Sequence, residues 1–283
     1  MALGSGPTVI ILRDRSHNKV GSKPDAIAAA SVREAIHGLK PHSGKGTGQR
    51  ASHLLSVTWV RLSAMCARYA LKTSVPEIAR ILGATAKAEF APSYNLAPSR
   101  SVPGVATDGA RELELLRWGL VPHWAKAVDD RYRMINARTE MVASKPAFRT
   151  PFRRRRCLVP TDGYYEWKAT GERKQPYFIH RRDEAPIFMA GLWDRWEKGD
   201  GGPLDSFAII TTSASPHVAD VHDRMPVIVD AGNHDAWLDP ETDDAKHLLP
   251  LLKPHPGENL LLRPVSTYVN NPRNDDARCY EPI

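Results

Sequence analysis

Closely spaced strand-forming runs in the second half of the chain constrain its fold more than any other feature of the sequence. The runs are rich in β-branched and aromatic residues and are separated by turn-forming residues. Short strands with interspersed helices favour an α+β fold, in which a single domain has a strongly curved, barrel-like mixed β-sheet and flanking helices. The predicted strands are Arg156–Pro160, Tyr164–Lys168, Tyr177–His180, Ile187–Trp193 and Ser206–Thr212.

Shorter elements are predicted around this strand-rich half. Pro76–Leu82 has the pattern of a short helix, with Ser74 as its N-cap and Gly83 as its C-cap. Tyr94–Pro98 is typical of a turn that leads into an extended segment. We see no internal repeat and no domain boundary after residue 66. The other predicted elements are strands at Leu113–Trp118, Val227–Val229 and Leu260–Leu262, a loop at Gly119–Trp124, and helices at Glu140–Ser144, Ala236–Leu238 and Ala245–Leu252.

Residues 1–64 differ in composition from the rest of the chain. Gly, Ser, Lys and His dominate Pro41–Gly48, as they do in flexible linkers. Ala26–His37 could form a short helix, but no neighbouring segment offers it an apolar partner. We predict that residues 1–64 are a disordered leader or a mis-assigned start, with Met65 as the alternative start, and that residues 65–283 form the folded domain.

The net charge of +7 resides almost entirely in that leader. Residues 1–64 hold nine Lys and Arg against three Asp and Glu, which gives +6. The remaining 30 basic and 29 acidic residues give +1. The overall basicity therefore does not identify a nucleic-acid surface on the folded domain, and any such surface must come from local clustering.

The cysteines and the hydropathy pattern exclude several classes of protein. Cys66, Cys157 and Cys279 lie far apart and form no CxxC pair, which argues against a metal site and against a disulfide framework, and suits a reducing cytoplasm. No apolar run approaches the roughly 18–20 residues that a membrane span needs. Val9–Leu12 is too short for the core of a signal peptide. We expect no cofactor, no metal and no membrane contact.

Four polar residues lie beside turns or strand ends, where functional groups are commonly held: Cys66, Asn136, Glu166 and His222. Each also has a plain structural interpretation. Cys66 could be a small buried hydrophobe, Asn136 a helix cap, Glu166 a solvated strand residue, and His222 a partner of its charged neighbours. Spacing alone does not join them into one site.

The strings around these residues are more specific than the residues themselves. Their order closely resembles the SOS-response-associated peptidase (SRAP) family, whose members crosslink covalently to abasic sites in single-stranded DNA. The resemblance extends from Met65 to about Pro282 and leaves residues 1–64 outside. The strings are MCARY, YNLAP, WGLVPHW, INARTE, KPAFR, RCLVPTDGYYEW, KQPYFI and VHDRMP.

The resemblance implies a role for each candidate residue. In the family, a cysteine becomes the true N-terminus once the initiator Met is removed, and Cys66 matches it as the nucleophile. Asn136, Glu166 and His222 match the residues around that cysteine. The implied DNA contacts are Arg68 and Arg138 to backbone phosphates and Trp124 as the stacking aromatic beside the lesion. Ala67 departs from the usual glycine, which could narrow the approach of the DNA backbone.

These residue types suit the chemistry that the resemblance implies. The open-chain form of an abasic site is an aldehyde, and an N-terminal cysteine adds to it twice. Its amine forms a Schiff base, and its thiol then closes a thiazolidine ring. With reference pKa values of about 8 for the amine and 8.5 for the thiol, reactive fractions of both exist at neutral pH. Glu166 would act as general acid and base, His222 would exchange a proton with the sugar oxygen, and Asn136 would orient the amine or a sugar hydroxyl.

The main hypothesis is therefore a monomeric, cytoplasmic protein, associated with the nucleoid in a bacterium, that senses abasic sites in single-stranded DNA, crosslinks to them and shields the lesion. An abasic-site lyase activity by β-elimination is open as well. Two alternatives remain open: a thiol autopeptidase that removes its own leader, and a non-catalytic single-strand-binding module that uses Trp124 and the arginines.

The run Arg153–Arg156 has two interpretations. It is either a series of phosphate-binding side chains or a run of solvated charges.

Overall fold

The computed structural model describes residues 66–106, 110–129, 134–198 and 201–283. All of these residues lie within one compact unit, Arg61–Ile283. The predicted leader, its predicted helix Ala26–His37 and Met65 lie outside the described residues. In the described ranges, no helix is long and apolar enough to cross a membrane.

The described residues form strands that fall into two sheets. We number them in chain order as β1 (Tyr69–Leu71), β2 (Thr85–Ala86), β3 (Ser93–Leu96), β4 (Ser101–Ala106), β5 (Glu112–Trp118), β6 (Asn136–Arg138), β7 (Arg156–Thr161), β8 (Gly163–Thr170), β9 (Arg173–Arg181), β10 (Ile187–Trp196), β11 (Leu204–Ser213), β12 (Arg224–Pro226) and β13 (Leu260–Pro264).

The larger sheet curls into a closed five-stranded barrel. Its strand order is β12-β11-β10-β7-β4-β5-β2, and β5 also pairs in parallel with β11, which closes the ring. At the closure Trp118 lies opposite Phe207, and their buried rings stack with centroids 6.4 Å apart. A Cβ atom on Gly191 would lie 2.6 Å from the Cys157 Sγ, so the barrel wall packs too tightly there for a side chain. The predicted α+β fold with a barrel-like mixed sheet is confirmed.

The smaller sheet delivers Cys66 to the strand that carries Glu166. Its order is β13-β9-β8-β1-β3, and all of its pairings are antiparallel. β1 begins three residues after Cys66 and pairs with β8 through Tyr69 and Tyr164. A Cβ atom on Gly163 would lie 2.4 Å from the Phe178 Cζ, so this close approach of β8 to β9 requires glycine.

Six short α-helices flank the sheets in the described residues. Ser74 caps the first helix and accepts a hydrogen bond from the Glu77 N–H, and Gly83 ends it in the left-handed conformation, both as predicted. The helices are α1 (Val75–Leu82), α2 (Thr139–Val142), α3 (Pro146–Arg154), α4 (Pro216–Ala219), α5 (His234–Leu238) and α6 (Ala245–Leu248).

Several predicted elements differ from those observed. The turn predicted at Tyr94–Pro98 is displaced: Ser93–Leu96 form β3, where the carboxylate of Asp275 accepts the N–H groups of Tyr94 and Asn95, and the turn follows at residues 98–99. The strand predicted at Val227–Val229 is also displaced: the strand is β12, and Ile228 makes only an isolated bridge to Met189. Helix α3 had no sequence prediction, and β4 was predicted only as an extended segment without bounds; each contains proline inside its run.

Candidate active site around Cys66

Cys66 lies in the interior, with only 1% of its surface exposed. Its main-chain N–H donates a hydrogen bond of 2.8 Å to the Glu166 Oε1. Its φ is +36°, in the left-handed region that residues with a side chain seldom adopt. Ala67 is not among the described non-glycine residues with positive φ, so alanine in place of the family's glycine needs no unusual backbone conformation. The cysteine and the glutamate that the sequence singled out are thus in direct contact.

Glu166 is a buried carboxyl group on β8, with 2% of its surface exposed. Burial raises the pKa of Glu166 from 4.5 to about 8, against the lowering effect of the Cys66 N–H. At neutral pH the carboxyl group therefore holds its proton in the majority of molecules. A protonated carboxyl next to the Cys66 nitrogen can act as a general acid, and its pKa lies close to the working pH of such a group.

The Cys66 thiol is held in its neutral form. Burial, and next the charge of Glu166, raise the pKa of the thiol well above its usual value. Tyr69 and Tyr164 lie opposite each other on β1 and β8, and burial together with Cys66 raises the pKa of both phenols. With its main-chain nitrogen in an amide bond, Cys66 is a shielded and weakly nucleophilic thiol. The sequence analysis did not identify either tyrosine as a neighbour of Cys66. Tyr164 could have been found, because it is two residues from Glu166 and thus lies on the same face of β8.

His222 lies in the turn between α4 and β12, with 9% of its side chain exposed. Its Nδ1 accepts a hydrogen bond of 3.0 Å from the Arg224 N–H and lies 3.0 Å from the Asp223 Oδ1. Burial lowers the pKa of His222, against the opposing effect of Asp223. The ring is therefore neutral at pH 7, and because Nδ1 accepts, the proton resides on Nε2.

The same two charges act on Glu166 and on His222, which places these residues in one electrostatic environment. Burial is the largest cause of the pKa shift of both residues. The charge of Asp223 raises the pKa of each group, and the charge of Lys174 lowers it. Asp223 is 88% exposed, so this shared environment opens to solvent on one side. Glu166 lies on β8 of the smaller sheet and His222 lies two residues before β12 of the larger sheet, so both sheets contribute to this environment.

Strand β11 brings Asn136 to the end of the barrel where the His222 turn lies. Asn136 is the first residue of β6, which runs parallel to β11 with Asn136 opposite Ile209. Farther along β11, Thr211 lies opposite Arg138 of β6 and Pro226 of β12. β6 and the His222 turn therefore flank the last residues of β11.

An ion pair between Arg224 and Glu140 fastens these two flanking segments together. The Arg224 guanidinium binds both carboxylate oxygens of Glu140, the Nη2–Oε2 distance being 3.0 Å. The hydrogen bonds from Arg224 lower the pKa of Glu140 to about 2, so the pair stays charged at every physiological pH. The start of α2, beside Asn136, is thereby fixed to the start of β12, beside His222.

Arg68 is turned towards its own chain. Its Nη1 donates to the Asn95 Oδ1 at 2.8 Å and to the Val269 carbonyl at 3.0 Å, and its Nη2 lies 3.4 Å from the Asn270 carbonyl. Asn95 itself is buried and donates to the carbonyls of Val269, Asn271 and Asn274. Sequence reasoning missed Asn95 as a structural centre, although the YNLAP string contains it. The phosphate contact of Arg68 stays a prediction.

Trp124 and Arg138 are both exposed. Trp124 has 52% of its surface accessible, and it is one of the few large hydrophobic residues in the described chain that are open to solvent. The loop that carries it is fixed to the barrel, since the Val121 N–H donates to the Ser206 Oγ at 2.8 Å and the Trp196 Nε1 donates to the Ala125 carbonyl at 2.9 Å. This loop neighbours β6, because Leu120 forms a bridge with Met134.

The run Arg153–Arg156 is not a continuous basic track. Arg154 pairs with Asp243 at 2.7 Å, and Arg155 pairs with Asp194. Arg156 is fully buried and donates to the carbonyls of Phe152, Arg153, Trp237 and Asp239, which joins the end of α3 to α5. Arg156 is therefore a structural residue, and no shared surface is formed by the four arginines. Within the described ranges, no group of three or more His, Cys, Asp and Glu side chains could hold a metal ion.

Comparison with known proteins gives a consistent result. The family model described as SOS response associated peptidase (SRAP) matches residues 65–272. The abasic site processing protein YoaM of Bacillus subtilis is 38% identical over 75% of this chain and 96% of its own length. The abasic site processing protein HMCES of Gallus gallus is 36% identical over 69% of this chain and 67% of its own length.

Solved structures agree with the sequence comparison. A crystal structure of a protein from Bacteroides thetaiotaomicron superposes with a TM-score of 0.70 and 27% identity, and covers 77% of this chain and 100% of that protein. A phage-related protein from Bordetella bronchiseptica gives a TM-score of 0.59 and 32% identity, over 71% of this chain and 94% of that protein. With a family model that spans most of the chain and relatives above 30% identity, this chain belongs to the SOS response associated peptidase (SRAP) family.

Proposed function

We propose that this protein recognises abasic sites in single-stranded DNA and forms a covalent crosslink with them through Cys66, once Cys66 is the N-terminal residue. Relatives that carry the name abasic site processing protein support the substrate. The observation that carries the proposal is the 2.8 Å hydrogen bond from the Cys66 nitrogen to buried Glu166. A carboxyl group with a pKa suited to proton transfer lies, in that bond, against the atom that would attack the aldehyde.

The first step is imine formation. The free amine of Cys66 adds to the open-chain aldehyde of the lesion, and the resulting hydroxyl group leaves as water after it receives a proton. Glu166, with its pKa near 8, supplies that proton. Burial disfavours the charged forms of both partners, so a neutral amine next to a protonated carboxyl is the favoured state, and this is the reactive state.

The second step closes the ring. The Cys66 sulfur adds to the carbon of the protonated imine, the C=N electron pair moves to the nitrogen, which keeps its N–H, and the thiol proton passes to the Glu166 carboxylate. An internal cysteine has no amine and completes neither step. Removal of residues 1–65 is therefore what converts the shielded thiol into a crosslinking group.

His222 and Asn136 act on the sugar. The Nε2–H of neutral His222 can donate to the sugar oxygen as the ring opens, and the same ring can later accept a proton from the sugar carbon. Proton removal from the Schiff base would lead to β-elimination, which gives an abasic-site lyase activity in competition with ring closure. Asn136 orients the amine or a sugar hydroxyl without adding charge to the site.

Two exposed side chains and the half-buried Arg68 hold the DNA. Trp124 stacks on a base next to the lesion, and Arg138 and Arg68 contact the flanking phosphates. Such contacts suit recognition of a missing base, since no base edge is present to be read. One copy of the chain supplies all of these groups, so we propose a monomer that covers the lesion and remains associated with the nucleoid in a bacterial host.

A chain that begins at Met65, so that removal of the initiator Met exposes Cys66, tests the proposal. Incubated with a single-stranded oligonucleotide that holds one abasic site, it should form a protein–DNA adduct that survives heating on a denaturing gel. The Cys66→Ala variant should give no stable adduct. Absence of an adduct from the parent, with equal affinity for abasic and intact DNA, would favour a non-catalytic binding module.

A second candidate, autoproteolytic removal of the leader, draws support from the strained geometry of Cys66. Its φ of +36° lies at the bond that must be cut. The thiol would attack the Met65 carbonyl and form a thioester, Glu166 would protonate the departing nitrogen, and water would hydrolyse the thioester. Intact mass of the full-length chain, followed during long incubation, should show loss of residues 1–65. An unchanged mass would leave an internal translation start as the route to a free Cys66.

A further inference from the structure

A buried carboxylate, Asp194 on β10, organises a cluster that the proposed chemistry does not use. Asp194 has 1% of its side chain exposed. Its Oδ2 accepts from the His123 N–H at 2.8 Å and lies 2.9 Å from the His123 Nδ1. Its Oδ1 accepts from Arg155 and from the Arg195 N–H at 3.0 Å. We call Asp194, His123 and Arg155 the Asp194 cluster.

The two partners of Asp194 reach the surface, one of them directly before Trp124 in the chain. The side chains of His123 and Arg155 are 50% and 36% exposed. His123 directly precedes Trp124, and the Lys198 Nζ lies 3.4 Å from the Trp124 carbonyl oxygen. The backbone that carries this exposed aromatic ring is therefore held next to His123 and Lys198, and Asp194 links His123 to Arg155.

We infer that His123 and Arg155 form a binding site for the backbone phosphate of the nucleotide whose base stacks on Trp124. The inference rests on the proposed binding of single-stranded DNA and adds a contact outside the crosslinking centre. Proteins that bind single strands combine stacking aromatics with positively charged groups that follow the backbone. A base stacked on Trp124 would bring its own phosphate within reach of the neighbouring residues.

Asp194 acts as a positioning residue in this site. A carboxylate only accepts hydrogen bonds, so the His123 Nδ1 carries the hydrogen that faces Asp194, and Nε2 lies on the other side of the ring. A phosphate oxygen only accepts hydrogen bonds, so it is bound by the ring form that carries a hydrogen on Nε2 as well. Asp194 also fixes the Arg155 guanidinium, which reduces the conformational entropy that the arginine would lose on binding phosphate.

The Trp124 loop has other attachments, which allows the site to be tested without displacing the loop. The Val121 N–H is held by the Ser206 Oγ, and the Ala125 carbonyl is held by the Trp196 Nε1. His123→Asn retains a side-chain donor that can face Asp194 but removes the imidazole. Arg155→Gln likewise retains a donor and removes the charge.

The experiment measures binding of the full-length chain to a fluorescent, intact single-stranded oligonucleotide between 50 and 200 mM salt. Each lost phosphate contact should reduce the slope of log affinity against log salt concentration by about 0.7 and weaken binding about fivefold near 0.1 M salt. We expect this loss for Arg155→Gln and, at pH 6, for His123→Asn. Arg155→Lys, which keeps the charge, should retain most of the slope. Residues 1–64 are common to all variants, so their contribution to the affinity and to its salt dependence cancels in the comparison.

Arg195→Gln is the matched control. Arg195 is 43% exposed on the same strand as Asp194, and like Arg155 it is paired with a carboxylate, that of Asp205, at 2.8 and 2.7 Å, but its side chain is not part of the Asp194 cluster. Its replacement should leave the slope unchanged. Unchanged slopes in both cluster variants, or an equal loss in Arg195→Gln, would overturn the inference.

Two further outcomes separate this inference from the proposed function. A parent chain that fails to bind intact DNA overturns the phosphate site, while adduct formation by the chain with an exposed Cys66 decides the crosslinking function separately. If Arg155→Gln lowers the unfolding temperature, the His123→Asn slope decides, because that variant keeps the Arg155–Asp194 ion pair.

Discussion

Two regions of this protein meet the same proposed substrate under opposite conditions. The centre at Cys66 and Glu166 is buried, with 1% and 2% exposure, whereas Trp124 is 52% exposed. In the centre, burial raises the pKa of both the thiol and the carboxyl group. We call the exposed residues Trp124 and Arg138 the rim. Trp124 lies on a loop whose backbone is hydrogen-bonded to the barrel.

This difference in burial assigns the two regions different tasks: the centre sets the reaction rate, and the rim sets the affinity for DNA. Removal from water changes proton affinities, and a carboxyl group with a pKa near 8 can both give and take a proton at neutral pH. Stacking and phosphate contacts need open surface instead, and each adds a modest free energy of binding. Substitutions in the centre should therefore change the rate of adduct formation, and substitutions at the rim should change the affinity for DNA.

The largest expected effect is that of Glu166→Gln on the rate. Glutamine keeps the shape and can still accept the hydrogen bond from the Cys66 nitrogen, but it cannot transfer a proton. We expect adduct formation at saturating DNA to slow by roughly 10²–10⁴-fold, the usual contribution of a general acid–base group. Single-turnover gel assays with a chain that exposes Cys66 measure this rate. An unaltered rate with weakened DNA affinity would mean that Glu166 binds DNA and does not transfer a proton. The centre and the rim would then not differ in function.

The same substitution should make the folded protein more stable at alkaline pH. Because the pKa of Glu166 is raised from 4.5 to about 8 on folding, the folded state binds more protons than the unfolded state between these values. Stability contributed by this group is therefore lost as the pH rises through that window, by roughly 5 kcal/mol in total, since one pKa unit corresponds to about 1.4 kcal/mol. Urea unfolding of full-length Glu166→Gln and parent chains at pH 5 and pH 8 should show the variant gaining most at pH 8. Equal gains at both pH values would contradict a buried, protonated carboxyl.

Much of this fold could be predicted from local sequence signals. The runs at β7 to β11 have β-branched and aromatic residues bounded by turns, and each forms a strand. Ser74 and Gly83 bound α1 through their own backbone preferences. Barrel closure could not be predicted in detail, because the parallel pairing of β5 with β11 joins segments about 90 residues apart.

The site shows the same limit. Cys66 and Glu166 were named from their strings, yet their contact depends on the antiparallel pairing of β1 with β8, which no local pattern specifies. Their catalytic roles stay predictions. The turn predicted at Tyr94–Pro98 begins later than expected, because Asn and Pro favour turns whereas the distant Asp275 accepts the N–H groups of Tyr94 and Asn95 and holds them extended. Arg156 likewise gave no local sign of being buried, since its carbonyl partners come from α3 and α5.

A smaller effect is expected for Trp124→Ala, which tests the rim. Loss of one stacked base should weaken binding of single-stranded DNA by about 1–3 kcal/mol, or roughly 5- to 150-fold. The rate of adduct formation at saturating DNA and the free energy of unfolding should remain close to those of the parent. Fluorescence anisotropy gives the affinity and the gel assay gives the rate. A large fall in the rate at saturation would mean that Trp124 positions the lesion, and the two regions would no longer be separable.

The smallest expected effect is that of Arg138→Ala, which removes one exposed charge at the end of β6, next to Asn136. If Arg138 contacts a phosphate, the slope of log affinity against log salt concentration should fall by about 0.7, with binding about fivefold weaker near 0.1 M salt. Arg149→Ala, on an exposed position of α3, is the matched control and should leave the slope unchanged. Because Asn136 and Arg138 share one short strand beside β11, an additional fall in the rate at saturating DNA would show that β6 couples the rim to the centre, whereas an unchanged rate would keep the two regions independent.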